Sequence, residues 1–289
     1  MGAASRRTEG ALLLAPLVLF LVLLLGFPAL ANLVYSLSQV TFRTIRDPAW
    51  LGFGNYVAAA TDPAFWHALG FSLRFALVTA AVEVVLGLAL ALALEPLLSR
   101  HKWLLALLLL PMMVSPALVG VMWRLLLNEF VGLVPQWLGL FGLYPALLGP
   151  AWVTTTLVVI EILQWTPFAF LILLTALQTI PAETLEAARI DGAVAWQRLV
   201  HVILPILVPA LAITAFIRFI DGFRVFDHIY VLTGGGPGTL TTSASIHIYK
   251  NFFQQEKLGE AVASAMLLLG ATLAFLLVAM RVALRGARP

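Results

Sequence analysis

No cysteine occurs among the 289 residues, which excludes disulfides, thiolate catalysis and cysteine-ligated zinc and leaves the redox compartment open. Charge is scarce as well. Only 11% of the residues are charged, against about 25% in soluble domains, while 62% are hydrophobic and the mean hydropathy is +1.00. Such a chain belongs in a lipid bilayer. The residues of enzyme sites are missing: the histidines at 67, 101, 201, 228 and 247 are scattered, and Gly70-Phe71-Ser72 lacks the rest of a nucleophile elbow. With no His-Glu-x-x-His and no carboxylate pair at catalytic spacing, neither catalytic residues nor a metal site are expected. A phosphate-binding loop is absent too, because no Lys-Ser or Lys-Thr follows Gly234-Gly235-Gly236-Pro237 and the complete pattern occurs nowhere else. The net charge of +3 arises from 17 basic residues against 14 acidic ones, with no basic cluster interleaved with aromatics, so nucleic acid is not an expected partner.

Long apolar runs are what the chain does have. A helix needs about 20 mostly apolar residues to cross the hydrocarbon. Six segments meet that requirement: Ala11 to Val34, Phe75 to Leu94 with Glu83 inside it, Trp103 to Trp123, Trp152 to Leu177 with Glu161 inside it, Val202 to Ile220 with Arg218 near its end, and Ala261 to Met280. The expected fold is all-α, a polytopic membrane protein of about six transmembrane helices forming one domain over residues 1–289. Residues 130–150 are also uncharged, but the glycines and prolines from Gly132 to Pro150 interrupt them too often for a continuous helix, and they read as an interfacial or partly re-entrant connection. Arg6 and Arg7 before an apolar run, with Ala29-Leu30-Ala31 after it, imitate a signal peptide. The run is about twice the length of an h-region and continues past that site, so it is read as a retained first span.

Six crossings put both termini on one side, and Lys and Arg choose which. With the N-terminus in the cytoplasm, Arg6, Arg7, Arg100, Lys102, Arg189, Arg198, Arg281, Arg285 and Arg288 lie inside, nine basic residues against eight outside, in segments roughly half as long in total. This orientation makes the polar loop 178–201, before the fifth span, cytoplasmic. Pro181 suits a first helical turn, Thr179 is placed to cap free amides, and Glu183 favours the positive end of the helix dipole. Ala187 and Ala188 are strong helix formers, and Gly192 stops the helix in a left-handed conformation, giving about ten residues. Leu185, Ala188 and Ile190 would form a narrow apolar side framed by Glu183, Glu186 and Arg189. A second short helix, near Val194 to His201, leads into the next span, where Pro205 allows a bend. Two uses remain open: docking into the cleft of an outside partner, or an interfacial turn packed on its own bundle.

Glu186-Ala187-Ala188, three residues, Gly192, nine residues, and Val202-Ile203-Leu204-Pro205 together resemble the EAA signature of permease subunits of binding-protein-dependent ABC importers; Val202 stands where that family more often has Ile. Phe226-Asp227-His228-Ile229-Tyr230-Val231-Leu232-Thr233-Gly234-Gly235-Gly236-Pro237, Thr241-Thr242, Ile248-Tyr249 and the early Trp50-Leu51-Gly52-Phe53-Gly54-Asn55-Tyr56 are similar to the sugar-type permeases, which handle maltose, other oligosaccharides and glycerol-3-phosphate. The resemblance runs from about residue 50 to 265, with the permease core at about 70–285. It implies a coupling helix in which Glu186, Ala187, Ala188, Asp191 and Gly192 meet an ATPase. It also implies a second permease subunit, usually a different chain so that the pair is a heterodimer, two ATP-binding cassette ATPase subunits, and an extracellular or periplasmic solute-binding protein met by the outer loops Tyr35 to Ala68 and Phe223 to Glu260. ATP and Mg would sit on the ATPases, leaving this chain without a cofactor, in the inner membrane of a bacterial or archaeal cell with both termini cytoplasmic.

Ionisable residues within spans are expensive, so each is a candidate for the solute path. Glu161 lies deep in its span with Gln164, Trp165 and Thr166 at helical spacings, and Pro167 loosens the local backbone. This set offers a sugar both hydroxyl partners and a flat aromatic face. The other reading has Glu161 protonated or paired with a neighbouring helix and fixing packing. Arg218, Asp221 and Arg224 recur at i+3 spacing, either lining an outer vestibule or forming an interfacial ion-pair row. Glu83 is read as structural; Arg74 or Arg124 could pair with it, but they lie at different depths. The rival function is an ion-coupled secondary transporter or channel acting without an ATPase.

Overall fold

The computed structural model describes residues 13–98 and 100–286. Ala11, Arg6, Arg7 and Arg288, on which the first span and the orientation partly rest, lie outside the described residues, as does the side chain of Arg285. In lipid every backbone polar group must be satisfied within the segment, which leaves helix as the answer for these apolar runs. In chain order come α1 (Leu13–Ser36, with a π turn at Val22–Gly26), a two-residue antiparallel ladder of β1 (Ser38–Gln39) and β2 (Ala49–Trp50), α2 (Gly54–Thr61), α3 (Pro63–Leu98), α4 (Trp103–Met113) and α5 (Pro116–Leu126). They are followed by α6 (Leu133–Gly139), α7 (Val153–Leu177), α8 (Ala182–Ile190), α9 (Ala195–Arg198), α10 (Leu204–Phe223), α11 (Asp227–Thr233), α12 (Ala244–Tyr249) and α13 (Leu258–Gly286). Among the described residues five helices are long and apolar enough to span a membrane, or six when α4 and α5 are taken as one broken span.

That break corrects the third expected span. Trp103 to Trp123 is not one continuous helix: α4 and α5 meet at 85°. Val114 and Ser115 both take ψ 134°, because Pro116 disfavours the helical conformation in the residue before it while suiting the first turn of α5 itself. An irregular backbone at membrane depth needs its carbonyls satisfied by protein; Gln164 Nε2 donates to Val114 O at 3.1 Å. The segment 223–260 is also not an open loop, since α11, α12 and the start of α13 occupy much of it.

The chain divides into two compact units, one running to Phe65 and including Ile248–Gly270, the other comprising Trp66–His247 and the chain from Ala271. In the first, Asn55 explains the Trp50 to Tyr56 run: its Nδ2 donates to Ser36 O at 3.0 Å and Ser38 O at 2.8 Å, while Tyr56 Oη donates to Ser36 Oγ at 2.9 Å. These bonds pin α2 under the end of α1. In the second unit, Phe71, Phe75, Val119, Leu157, Ile160, Ile229 and Ile246 form one buried cluster, and Ala91, Leu98, Phe170, Leu173 and Leu174 form another. Small residues let helices approach closely where lipid offers no hydrophobic drive. A Cβ on Gly120 of α5 would stand 2.9 Å from Val231 Cβ and 3.1 Å from His228 Cα of α11. Gly120→Val is therefore expected to cost about 1–3 kcal/mol by overpacking, read as a lowered melting temperature in detergent; an unchanged melt would refute this contact.

Candidate functional site

The second unit buries an ion cluster where α3, α7 and α10 meet. Arg218 of α10 is completely buried, as is Glu83 of α3, and Glu161 of α7 is 2% exposed. Arg218 Nε donates to Glu83 Oε2 at 2.6 Å, Nη2 to Glu161 Oε1 at 2.9 Å, and Nη1 to Asp221 Oδ2 at 3.2 Å. Its guanidinium carbon lies 4.7 Å from the centre of the Trp165 ring, a cation–π stack. One planar, always-charged fork thus clasps α3, α7 and its own helix, a role that a point-charge lysine would fill poorly. His228 of α11 brings Nε2 to 3.5 Å from Glu161 Oε2.

This arrangement bears on three expectations. Glu83 pairs with Arg218, not with Arg74 or Arg124, whose side chains donate to Gly70 O and Val231 O. Arg218, Asp221 and Arg224 do form an ion-pair row, at 3.2 and 3.6 Å, but Arg218 is buried in the bundle while Asp221 and Arg224 remain partly exposed. Glu161 is paired with a neighbouring helix, as the packing reading held, yet one of its oxygens remains over. Glu161 Oε2, Gln164 Oε1, Thr166 Oγ1 and His228 Nε2 are buried without a hydrogen-bond partner. Buried polar atoms are normally satisfied, so these four represent bonding capacity for a hydroxyl-bearing molecule or water. Among the described residues no group of three or more His, Cys, Asp or Glu is placed to hold a metal ion.

At the far end of α7, Gln178, Thr179 and Ile180 lead into α8. Thr179 does not cap it: its hydroxyl turns back to Ala176 O at 2.7 Å, and Pro181 itself takes the cap position. Gly192 closes the helix at φ +80°, the left-handed region glycine enters without cost. Its N–H donates to Arg189 O at 3.1 Å, and that of Ala193 to Ala188 O at 3.0 Å. The apolar side is rearranged from the expectation. Leu185 and Ala188 are half-buried against the chain, while Glu186, Ala187, Asp191 and Gly192 are exposed. Apolar exposure is concentrated instead at Ile190 (86%), Val194 (61%) and Trp196 (69%).

Sequence reasoning missed His228, Val194 and Trp196. A signal for His228 existed, since Phe226 to Tyr230 follows the one expected span that contains an Arg or Lys; for the other two, periodicity counted within α8 ended one turn too early.

A family model described as "Binding-protein-dependent transport system inner membrane component" matches residues 83–286. The chain is 34% identical over 276 residues to the trehalose/maltose transport system permease protein MalF of Thermococcus litoralis, covering 94% of this chain and 92% of that one. It is likewise 34% identical over 281 residues to the trehalose transport system permease protein SugA of Mycobacterium tuberculosis, covering 95% and 89%. Its fold is that of a chain in the crystal structure of a bacterial ABC transporter that imports the acidic polysaccharide alginate, with a TM-score of 0.85, 23% identity and 98% of each chain covered.

Proposed function

We propose, from the premise that this chain belongs to the family of binding-protein-dependent transport system inner membrane components and is a permease subunit of a sugar ABC importer, a division of labour between its two sites. The α8 loop receives force, and the α7 cluster handles solute. The observation that carries the first half is the short helix closed by Gly192, with Ile190, Val194 and Trp196 exposed around it. Three bare apolar side chains beside Glu186 and Asp191 suit a partner's cleft better than open water. The partner is an ATPase subunit facing the cytoplasm, with ATP and Mg bound there and no cofactor on this chain. Two such ATPases, a second and different permease, and an outer solute-binding protein complete the importer, in a cell membrane with both termini of this chain cytoplasmic. Residues 1–289 act as a single permease domain.

The solute is a small sugar or oligosaccharide; the relatives named for trehalose and maltose support that class. Glu161, Gln164, Trp165 and Thr166 form its path, with Arg218 and Asp221 holding Glu161 in place. Rocking of the bundle around such a midplane site gives alternating access. ATP closure drags α8, and the spans attached to it follow. Family membership removes the case for an ion-coupled transporter working alone.

Two measurements test this. Proteoliposomes carrying all the subunits should accumulate sugar with ATP and none with a proton or sodium gradient alone; uptake without the ATPases overturns the reading. Thr166→Val removes a hydroxyl that has no partner, so the melting temperature should hold while the KM for sugar uptake rises about fivefold, the worth of about one hydrogen bond. An unchanged KM moves the solute contacts to the partner permease.

A further inference from the structure

Beneath the docking helix lies a half-open cavity of about 550 Å³, between α8 and the ends of α3 and α7. Leu92, Leu177 and Ile203 supply alkyl wall, while Arg189 and Arg198 supply two guanidinium groups and Glu95 one carboxylate. Among the described residues none of these three charged side chains has a hydrogen bond or ion pair. Two cations against one anion leave a single positive charge in an apolar recess. The recess lies at the bilayer surface: the apolar run of α3 ends at Leu98, Arg100 and Lys102 follow, and Trp103, 65% exposed, stands beside them, where aromatic rings mark the headgroup level.

We propose that this cavity is a binding site for an anionic glycerophospholipid. Its phosphodiester sits between Arg189 and Arg198, its acyl chain runs along Leu92, Leu177 and Ile203, and the Glu95 carboxylate opposes the bound anion. Charge decides among lipids, because a phosphodiester with one negative charge neutralises the recess, whereas a zwitterionic headgroup leaves its excess uncompensated. Guanidinium forks match phosphate oxygens in pairs. Since Arg189 belongs to α8, a bound lipid braces the docking helix against the membrane surface and sets how firmly it transmits motion. The site needs only that this end of α3 and α7 meet the bilayer, so its failure would leave the docking role of α8 untouched.

The test uses the purified, assembled importer incubated with phosphatidylcholine vesicles containing a minority of phosphatidylglycerol, with retained lipids identified by native mass spectrometry. The wild type should retain phosphatidylglycerol well above its bulk fraction. Each arginine should account for about fivefold of that enrichment, so Arg189→Gln with Arg198→Gln brings it close to bulk, while Arg124→Gln, outside the cavity, keeps it. If the double variant does not assemble, Glu95→Gln answers instead, because removing the opposing carboxylate should raise retention. Wild-type enrichment in the double variant, unchanged retention in Glu95→Gln, or selective retention of phosphatidylethanolamine would overturn the proposal. So would cross-linking of a photoreactive residue at position 198 to an ATPase subunit rather than to lipid.

Discussion

An importer carrying Gly192→Asp should reach the membrane at the normal level and take up no measurable sugar. A Cβ at Gly192 meets nothing within 4 Å, so the chain itself has room for a side chain. The residue sits at φ +80°, which costs an ordinary L-residue about 1–2 kcal/mol, and Asp is among the residues that bear it best. A loss of that size, confined to a surface turn, leaves insertion and the buried cluster intact. The partner's surface is another matter. A second carboxylate beside Asp191, on the tip that carries Ile190, Val194 and Trp196, would have to be desolvated inside the ATPase cleft, and an unpaired buried charge costs far more than the strain. Uptake assays with a membrane-level immunoblot, together with ATPase co-purification, measure both halves. Normal uptake by this variant would sink the docking role.

Arg218→Met should be the most destabilising single change in the bundle. It removes the only described cation facing Glu83 and Glu161, both at most 2% exposed, and leaves two carboxylates to meet at the junction of α3, α7 and α10. Breaking a buried pair by deleting one partner costs about 3–5 kcal/mol, a large part of any domain's stability, so little monodisperse protein should survive extraction into detergent. The companion experiment distinguishes charge from shape. Combining Arg218→Met with Glu83→Gln and Glu161→Gln removes the stranded charges and should recover most of the yield, since replacing a whole buried ion cluster is often nearly neutral. A wild-type melting temperature for Arg218→Met alone, or no recovery in the triple variant, would show that the clasp does not hold these helices.

The two sites were legible to different degrees. The docking loop reads from sequence because its determinants are local: a proline at the start, alanines within, a glycine at a left-handed stop, all inside one short segment. Even there the exposed side differs from the expectation, since Leu185 turns toward a cavity walled in part by Leu92 and Glu95 of α3, far away in sequence. The charge cluster was legible only as a list of costly residues. Glu83 and Arg218 lie 135 positions apart, and nothing in either span's periodicity says which neighbour it faces. The broken third span is an intermediate case: Pro116 announced a break, but uncharged residues on both sides hid it from a test of length and hydropathy.

By itself, the sequence determined that this chain is a bundle of membrane helices with a polar, helix-forming loop between two spans and no complete P-loop pattern. Composition, apolar run length and the EAA spacing are one-dimensional quantities, and lipid admits only helices for such runs. Tertiary structure alone decided that Arg218 joins Glu83 to Glu161, that Gln164 holds the carbonyl of the broken span, and that Ile190, Val194 and Trp196 form the exposed tip. Each of these depends on which helix faces which, and that choice is made by close packing at residues such as Gly120 and by the pairing of buried charges across helices.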